Sequence, residues 1–313
     1  MAKQAVLLLA HGTPDAIEEI PAYLRNVTSG RPLPQHVVEE IQHRYSLIGR
    51  SPLTDLTLEQ ARLTEAELAA SGLAVKVYVG MRNWKPYIPD VVKTMRVEGV
   101  EEAAVICLAP QNSRTSVGLY RRTVAAEAGA LRIDFTAGWA RHPQLIAAFA
   151  ERLLPAWQQL CAEAGHAVPV LFTAHSVPVR TVEPTADGQP ADPYAEEAQA
   201  TAALVAENLP AGTAWRFAFQ SQGQSGGAWI GPTVDETLDS LAAAGHKAVL
   251  LQPIGFLCDH VEILYDIDIA FREYAQKLGM RLERPASLNG SQTLAAALAD
   301  LARNGLARLA GTS

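Results

Sequence analysis

Two histidines and one acidic stretch carry most of the chemistry that can be read from this sequence. His11 ends the apolar run AVLLLA of residues 5–10 and leads into Gly12, Thr13 and Pro14. His175 ends the run PVLFTA of residues 169–174 and leads into Ser176, Val177 and Pro178. The two stretches coincide at Val6 and Val170, Leu7 and Leu171, Ala10 and Ala174, the histidines themselves, and Pro14 and Pro178. Imidazole titrates near neutrality, so it can take or give a proton, and its neutral form ligates metals. The acidic stretch follows Cys258 and reads DHVEILYDID. If residues 259–278 form one helix, Asp259, Glu262, Asp266 and Glu273 fall on one stripe. Carboxylates facing a strand-end histidine would make an oxygen-and-nitrogen site for a divalent metal such as Fe²⁺. A plainer reading fits the same residues. Asp259 suits an N-cap, Glu262 then completes a capping box three residues on, and the stripe is a solvated face.

Positioning such groups needs a particular scaffold. A short apolar run ending in a small residue reads as a buried parallel strand. In open α/β sheets, the loops at the carboxyl ends of strands carry the site. Strand-like runs near 5–10, 74–79, 103–108, 131–136, 169–173, 214–220, 247–252 and 280–284 alternate with helical stretches. That alternation predicts an α/β fold with parallel sheets. The repeated strand and histidine split it into two flavodoxin-like halves, related by a pseudo-two-fold internal duplication. The first half is expected over 1–141 and a connecting helix over 142–168. The second half, 169–313, carries His175 and the acidic helix.

Composition narrows the function further. At 313 residues the chain is long enough for about two domains. Its net charge of −7 argues against nucleic acid, which is bound by clustered Lys and Arg. No apolar run approaches a membrane span, and the N-terminus does not read as a signal peptide. Cys107, Cys161 and Cys258 are widely spaced with no CxxC, which suggests reduced thiols in the cytoplasm and no iron–sulfur cluster.

Three segments in order carry a resemblance. They are LFTAHSVP (171–178) with Asp192-Pro193-Tyr194 beyond it, FAFQSQG (217–223) with Trp229-Ile230-Gly231-Pro232, and QPIGFLCDHVEILYDIDIAF (252–271). Together they resemble the ferrochelatases, which insert ferrous iron into a porphyrin, and the match runs over nearly the whole chain. The resemblance implies a chelatase-like fold with the porphyrin between the halves. His175 matches the family's active-site histidine, Glu262 its partner carboxylate and Asp266 the next acidic position. These three residues are the implied handlers of iron. Where many members carry a further carboxylate, this chain has Ala270. In the first half, SGRPLP, Arg44-Tyr45 and Ser51-Pro52-Leu53-Thr54 resemble the soluble, coproporphyrin-type bacterial enzymes. A tyrosine often stands in those enzymes where this chain has His11. The implied porphyrin contacts are His11, Thr13, Arg44, Ser51, Tyr120 and Trp229. Met81 and Trp84 are further candidate walls, and Arg31, Arg50 and Arg114 further candidates for propionates.

The expected activity is Fe²⁺ insertion, into coproporphyrin III in preference to protoporphyrin IX, for haem synthesis. Iron is a substrate, no cofactor is held permanently, and the enzyme is expected as a monomer without an integral membrane segment. Two rivals remain: a cobalt chelatase acting on a reduced tetrapyrrole, and a non-catalytic haem- or porphyrin-binding protein.

Overall fold

The computed structural model describes residues 2–223 and 227–311. Residues 224–226, part of the glycine-rich loop expected after the sixth strand, lie outside the described residues. Among the described residues there are eight strands: β1 (Gln4–Ala10), β2 (Lys76–Met81), β3 (Glu102–Cys107), β4 (Arg132–Thr136), β5 (Val170–His175), β6 (Trp215–Gln220), β7 (Ala248–Pro253) and β8 (Arg281–Glu283). They form two four-stranded sheets, ordered β2-β1-β3-β4 and β6-β5-β7-β8. Every pairing is parallel. The second sheet therefore repeats the order of the first, and β1 and β5 occupy equivalent inner positions. His11 follows β1 and His175 ends β5, so the expected duplication is present in the sheets.

In the first half the helices are α1 (Ile20–Val27), α2 (Gln35–Ile48), α3 (Leu53–Ala70), α4 (Ile88–Val97) and α5 (Val117–Glu127). The long α6 (Pro143–Ala164) follows, then α7 (Val179–Val182), α8 (Tyr194–Ala206), α9 (Val234–Ala243), α10 (Val261–Leu264), α11 (Arg272–Lys277) and α12 (Gln292–Gly311). Side chains alternate across each strand. On β1, Val6, Leu8 and Ala10 join a core shared by both sheets. Ala5, Leu7 and Leu9 face the opposite way, towards α4 and α5. The shared core also takes Val170 and Phe172 of β5, Phe149 and Leu153 of α6, and Leu298 and Ala302 of α12.

Two helices cross between the halves. The expected connector, α6, packs on β7 and α8, while the last helix, α12, packs on β3, β4 and α3. The strands of the first sheet all precede residue 141 and those of the second all follow residue 169. Residues 292–311 belong by packing to the first sheet.

The acidic segment is not one helix. It begins as α10, widens into a π-helix at Asp266–Phe271 and tightens again as α11. Ile269 and Ala270 both donate their amides to the Tyr265 carbonyl, at 3.1 and 3.0 Å. The wider turn breaks the expected stripe, because side-chain spacing along a π-turn differs from the 3.6-residue period. Asp268, Asp259 and Arg284 form one half-buried cluster, with Arg284 nitrogens 2.7 Å from Asp268 and 3.2 Å from Asp259. Asp259 also accepts from Ser287 and Asn289. It is not the N-cap: His260 occupies that position, and its side chain makes no capping hydrogen bond. Glu273 is exposed on α11.

Candidate active site

His175 sits at the mouth of β5, where several partners fix its backbone and ring. The Tyr194 hydroxyl donates to the His175 carbonyl at 2.7 Å. The ring Nδ1 bonds the Ser176 carbonyl, which can only accept, so Nδ1 carries a hydrogen. That leaves Nε2 facing Glu262 Oε1 at 3.4 Å. The other Glu262 oxygen lies 3.6 Å from Nε2 of His260, whose Nδ1 is held 3.0 Å from the Cys258 carbonyl. Glu262 is thus bracketed by two imidazoles, one to each oxygen. This replaces the capping-box reading, because its carboxylate points to ring nitrogens and not to a free amide. Removal from bulk water opposes a charge on His175, but the Glu262 carboxylate, the Ser176 carbonyl and Asp266 outweigh it and raise its pKa from 6.5 to about 9. Burial likewise works against the Glu262 charge, and His175 and His260 overcome it, holding Glu262 well below the usual carboxylate range.

Asp266 lies one step further along, and burial with the nearby Glu262 charge raises its pKa to about 6. Ser221 donates to it from the end of β6, and Arg44 reaches it from α2 in the first half at 3.4 Å. Arg44 also pairs with Glu40 and lies 5.0 Å above the Tyr265 ring. The residue expected to greet a propionate is therefore held here as a tie between the halves. Beneath these groups, Thr173 donates to the Gln220 amide oxygen at 2.6 Å. Gln220 in turn donates to the Glu262 carbonyl at 3.1 Å. Among the described residues, no three His, Cys, Asp or Glu side chains gather as a cage for a metal ion. Asp266 stands apart from the His175–Glu262 pair in this respect.

His11 has a different setting. Its Nε2 lies 3.0 Å from the Tyr23 hydroxyl, and the Asn83 side-chain amide lies 3.1 and 3.3 Å from the two ring nitrogens. The turn beyond it needs Gly12, with φ +85° and Trp84 N only 2.9 Å from where a Cβ would stand. Thr13 is buried and meets the Tyr45 hydroxyl at 3.0 Å. The His11 side chain is exposed at the mouth of β1, yet protein groups crowd around it. The loss of water this causes lowers its pKa to about 4; Glu262 pulls the other way, while Arg82, His260 and His175 reinforce the drop. His11 and His175 therefore act on each other.

The other expected contacts divide. Ser51 is buried with its hydroxyl unpartnered, and Trp229 is half-buried beside Pro178. Tyr120 is 4% exposed and packs with Val105 and Val124 behind the first sheet. Met81 and Trp84 are core residues, not cleft walls. Arg50 is taken by Asp15 and Asp55, and Arg114 by Asp192 and the carbonyls of Thr181 and Glu183. Arg31 folds back on Thr28. Tyr23, Asn83 and Arg82 carried no motif, Tyr45 stood in one without a role of its own, and only the folding of three separate segments gathers them. His260 stood in plain view, but the i, i+2 spacing to Glu262 hides the contact within a helix. It is made because His260 precedes the helix in extended backbone, at φ −162° and ψ −174°.

A family model described as Ferrochelatase matches residues 3–306. The chain belongs to the ferrochelatase family. It is 60% identical to a ferrochelatase of Acidobacterium capsulatum, over 98% of this chain and 96% of that one. It is 39% identical to a ferrochelatase of Deinococcus radiodurans, over 97% and 96%. A coproporphyrin III ferrochelatase of Mycolicibacterium vanbaalenii is 34% identical, over 96% and 89%. Among solved structures, the cobalt complex of the sirohydrochlorin chelatase SirB from Bacillus subtilis subspecies spizizenii superposes with a TM-score of 0.58. It is 13% identical and covers 99% of this chain and 97% of that chain. At that identity the likeness concerns the two-halved fold alone. The ferrochelatase assignment makes the protein an enzyme, a metal chelatase. No described helix is long and apolar enough to cross a membrane.

Proposed function

We propose that this ferrochelatase inserts Fe²⁺ into coproporphyrin III between its two strand-mouth histidines. The observation that carries the reading is the contrast between the two histidines: His175, 3.4 Å from the Glu262 carboxylate, is pushed up to about 9, and His11, beside the Tyr23 hydroxyl and the Asn83 amide, down to about 4. Insertion replaces two pyrrole protons by one Fe²⁺, so two protons must leave. In the empty enzyme near neutral pH, His175 already holds a proton beside the Glu262 carboxylate. Fe²⁺ arriving at Nε2 displaces that proton to solvent, as any metal does from a protonated ligand. The neutral imidazole and the carboxylate then take the pyrrole protons as iron passes to the macrocycle. Asp266, poised at about 6, is the next acceptor outward. The acid after it, Asp268, is held by Arg284, and Ala270 offers no carboxylate. Contacts along the edge of the macrocycle supply the distortion that exposes its nitrogen lone pairs.

His11 is assigned to the product. A neutral imidazole suits iron, and the low pKa keeps the ring neutral at working pH. Its Nε2 must first release the Tyr23 hydroxyl. We assign the enzyme to the cytoplasm as a monomer, and its three free thiols accord with a reducing compartment.

The first-half motifs and the relatives named for coproporphyrin III support the choice of that porphyrin. The decisive experiment is steady-state insertion of Fe²⁺ into each porphyrin by the purified protein, followed as loss of free-porphyrin fluorescence. We expect kcat/KM for coproporphyrin III to exceed that for protoporphyrin IX at least tenfold. Equal or reversed values contradict the assignment, and no metal-dependent loss with either would favour a cobalt chelatase or a simple binding protein.

A further inference from the structure

Arg82 is a half-buried arginine that meets no acid among the described residues. It continues β2, donating its amide to the Ala10 carbonyl at 3.0 Å, and its guanidinium lies 6.0 Å over the Tyr120 ring. The charged and polar groups that bear on it are the phenols of Tyr120 and Tyr23 and a second guanidinium, Arg122. None of them is a carboxylate. Other sheltered arginines in the molecule behave differently. Arg44 meets Asp266, Arg114 meets Asp192, and Arg284 meets both Asp259 and Asp268. A desolvated cation without a counter-charge is costly, so the exception calls for an anion that arrives from outside.

There is room for one. Arg82 lines an open cavity of about 750 Å³, together with Arg25, Asn26, Tyr87, Asp90 and Thr123. Asn26 is already committed to the Asn83 carbonyl and the Tyr87 hydroxyl, and Asp90 is the single acid in the lining. The cavity is linked to the surroundings of His11: Asn26 in its lining donates to the Asn83 carbonyl, the Asn83 side chain bonds the His11 ring, and the Arg82 charge bears on His11. Guanidinium binds carboxylate through two parallel hydrogen bonds, a match that lysine lacks. We propose that Arg82, with Arg25 lining the same cavity, forms a subsite for one carboxylate on the edge of the macrocycle. The subsite rests on the porphyrin reading above. It adds a first-half anchor that no motif in the sequence indicated.

The test measures porphyrin binding to the full chain by fluorescence quenching, with coproporphyrin III and with its tetramethyl ester. Arg82→Gln is expected to weaken coproporphyrin III at least tenfold while changing the ester less than twofold. KM should rise more than kcat falls. Arg82→Lys should fall between the two, because it keeps the charge and loses the fork. Equal weakening of acid and ester would overturn the proposal in favour of a packing role, and no weakening of either would overturn it outright. Inorganic phosphate at matched ionic strength separates a free-anion site. If phosphate binds through Arg82 while the variant keeps its affinity for coproporphyrin III, the proposal fails. Should Arg82→Gln not fold, the exposed Arg25→Gln replaces it, with about threefold weakening of the acid alone expected and no change overturning the subsite. Wild-type protein that neither binds nor metallates coproporphyrin III would refute the function itself. Wild-type activity with an unaffected Arg82→Gln would refute only the subsite.

Discussion

The two halves offer equivalent inner strands, each with a histidine at its mouth, yet the histidines are in opposite states. His175 is pushed up to about 9 and His11 down to about 4. The backbone explains none of this difference, because β1 and β5 hold equivalent places in equivalent sheets. What differs is the cover. Over β5 the chain lays an acidic segment that brings Glu262 to 3.4 Å from the ring. Over β1 it lays α1 and the loop after β2, which bring only the Tyr23 hydroxyl and the Asn83 amide. A duplicated scaffold thus supplies two imidazoles, and unlike covers raise the pKa of one and lower that of the other.

The largest expected effect comes from removing the charged side of this contrast. His175→Ala should lower chelation by roughly 10²–10⁴, the usual scale of general-base loss, with porphyrin binding kept. Turnover within tenfold of wild type, in single-turnover assays, would break the comparison. Glu262→Gln keeps an amide oxygen but removes the charge, and should lower chelation by more than tenfold. The same change should bring the His175 pKa down towards or below 6.5, with little loss of melting temperature. A marked fall in melting temperature with intact activity would return Glu262 to a structural role.

Stability against pH separates the halves by sign. The raised His175 contributes stability below its unfolded pKa of about 6.5, and this is lost as pH rises through about 9. The depressed Glu262 contributes above about 4.5 and is lost as pH falls through its folded value. The pair therefore contributes most between about 4.5 and 6.5. His11 prefers to be neutral when folded, so it costs stability as pH falls from about 6.5 to about 4. His11→Ala should flatten the acid limb of a melting-temperature profile, and His175→Ala the alkaline limb. Both limbs unchanged would contradict the assigned shifts.

The smallest effects concern the product. His11→Ala should keep measurable chelation, shift the visible spectrum of bound product haem and weaken its retention. Tyr23→Phe releases His11 Nε2 and should tighten retention by a few fold. An unaltered spectrum and product dissociation constant in His11→Ala would show that the ring does not touch iron.

Much of this was legible beforehand. The buried strands, their alternation with helices and the positions of His11, His175 and Glu262 follow from apolar runs that end in polar loops. The cover was less legible. The stripe expected from Asp259, Glu262, Asp266 and Glu273 is broken twice without local signature: Asp259 pairs with Arg284 ahead of the helix, and the π-turn at Asp266–Phe271, which leaves no mark in a 3.6-residue pattern, precedes the exposed Glu273. Met81 and Trp84 follow a strand mouth as a wall residue would, yet the tight turn at Gly12 draws them inward. Arg44 matched a ligand-binding motif, while its contact with Asp266 joins residues 222 positions apart and has no local signature.

The most direct test of the contrast is a nitrogen-15 NMR titration of the imidazoles in the empty enzyme, assigned with His11→Ala and His175→Ala. At pH 7.5 the account predicts an imidazolium signal for His175, titrating near 9, and a neutral ring for His11 down to about pH 5. Two histidines titrating together near 6.5 would contradict it.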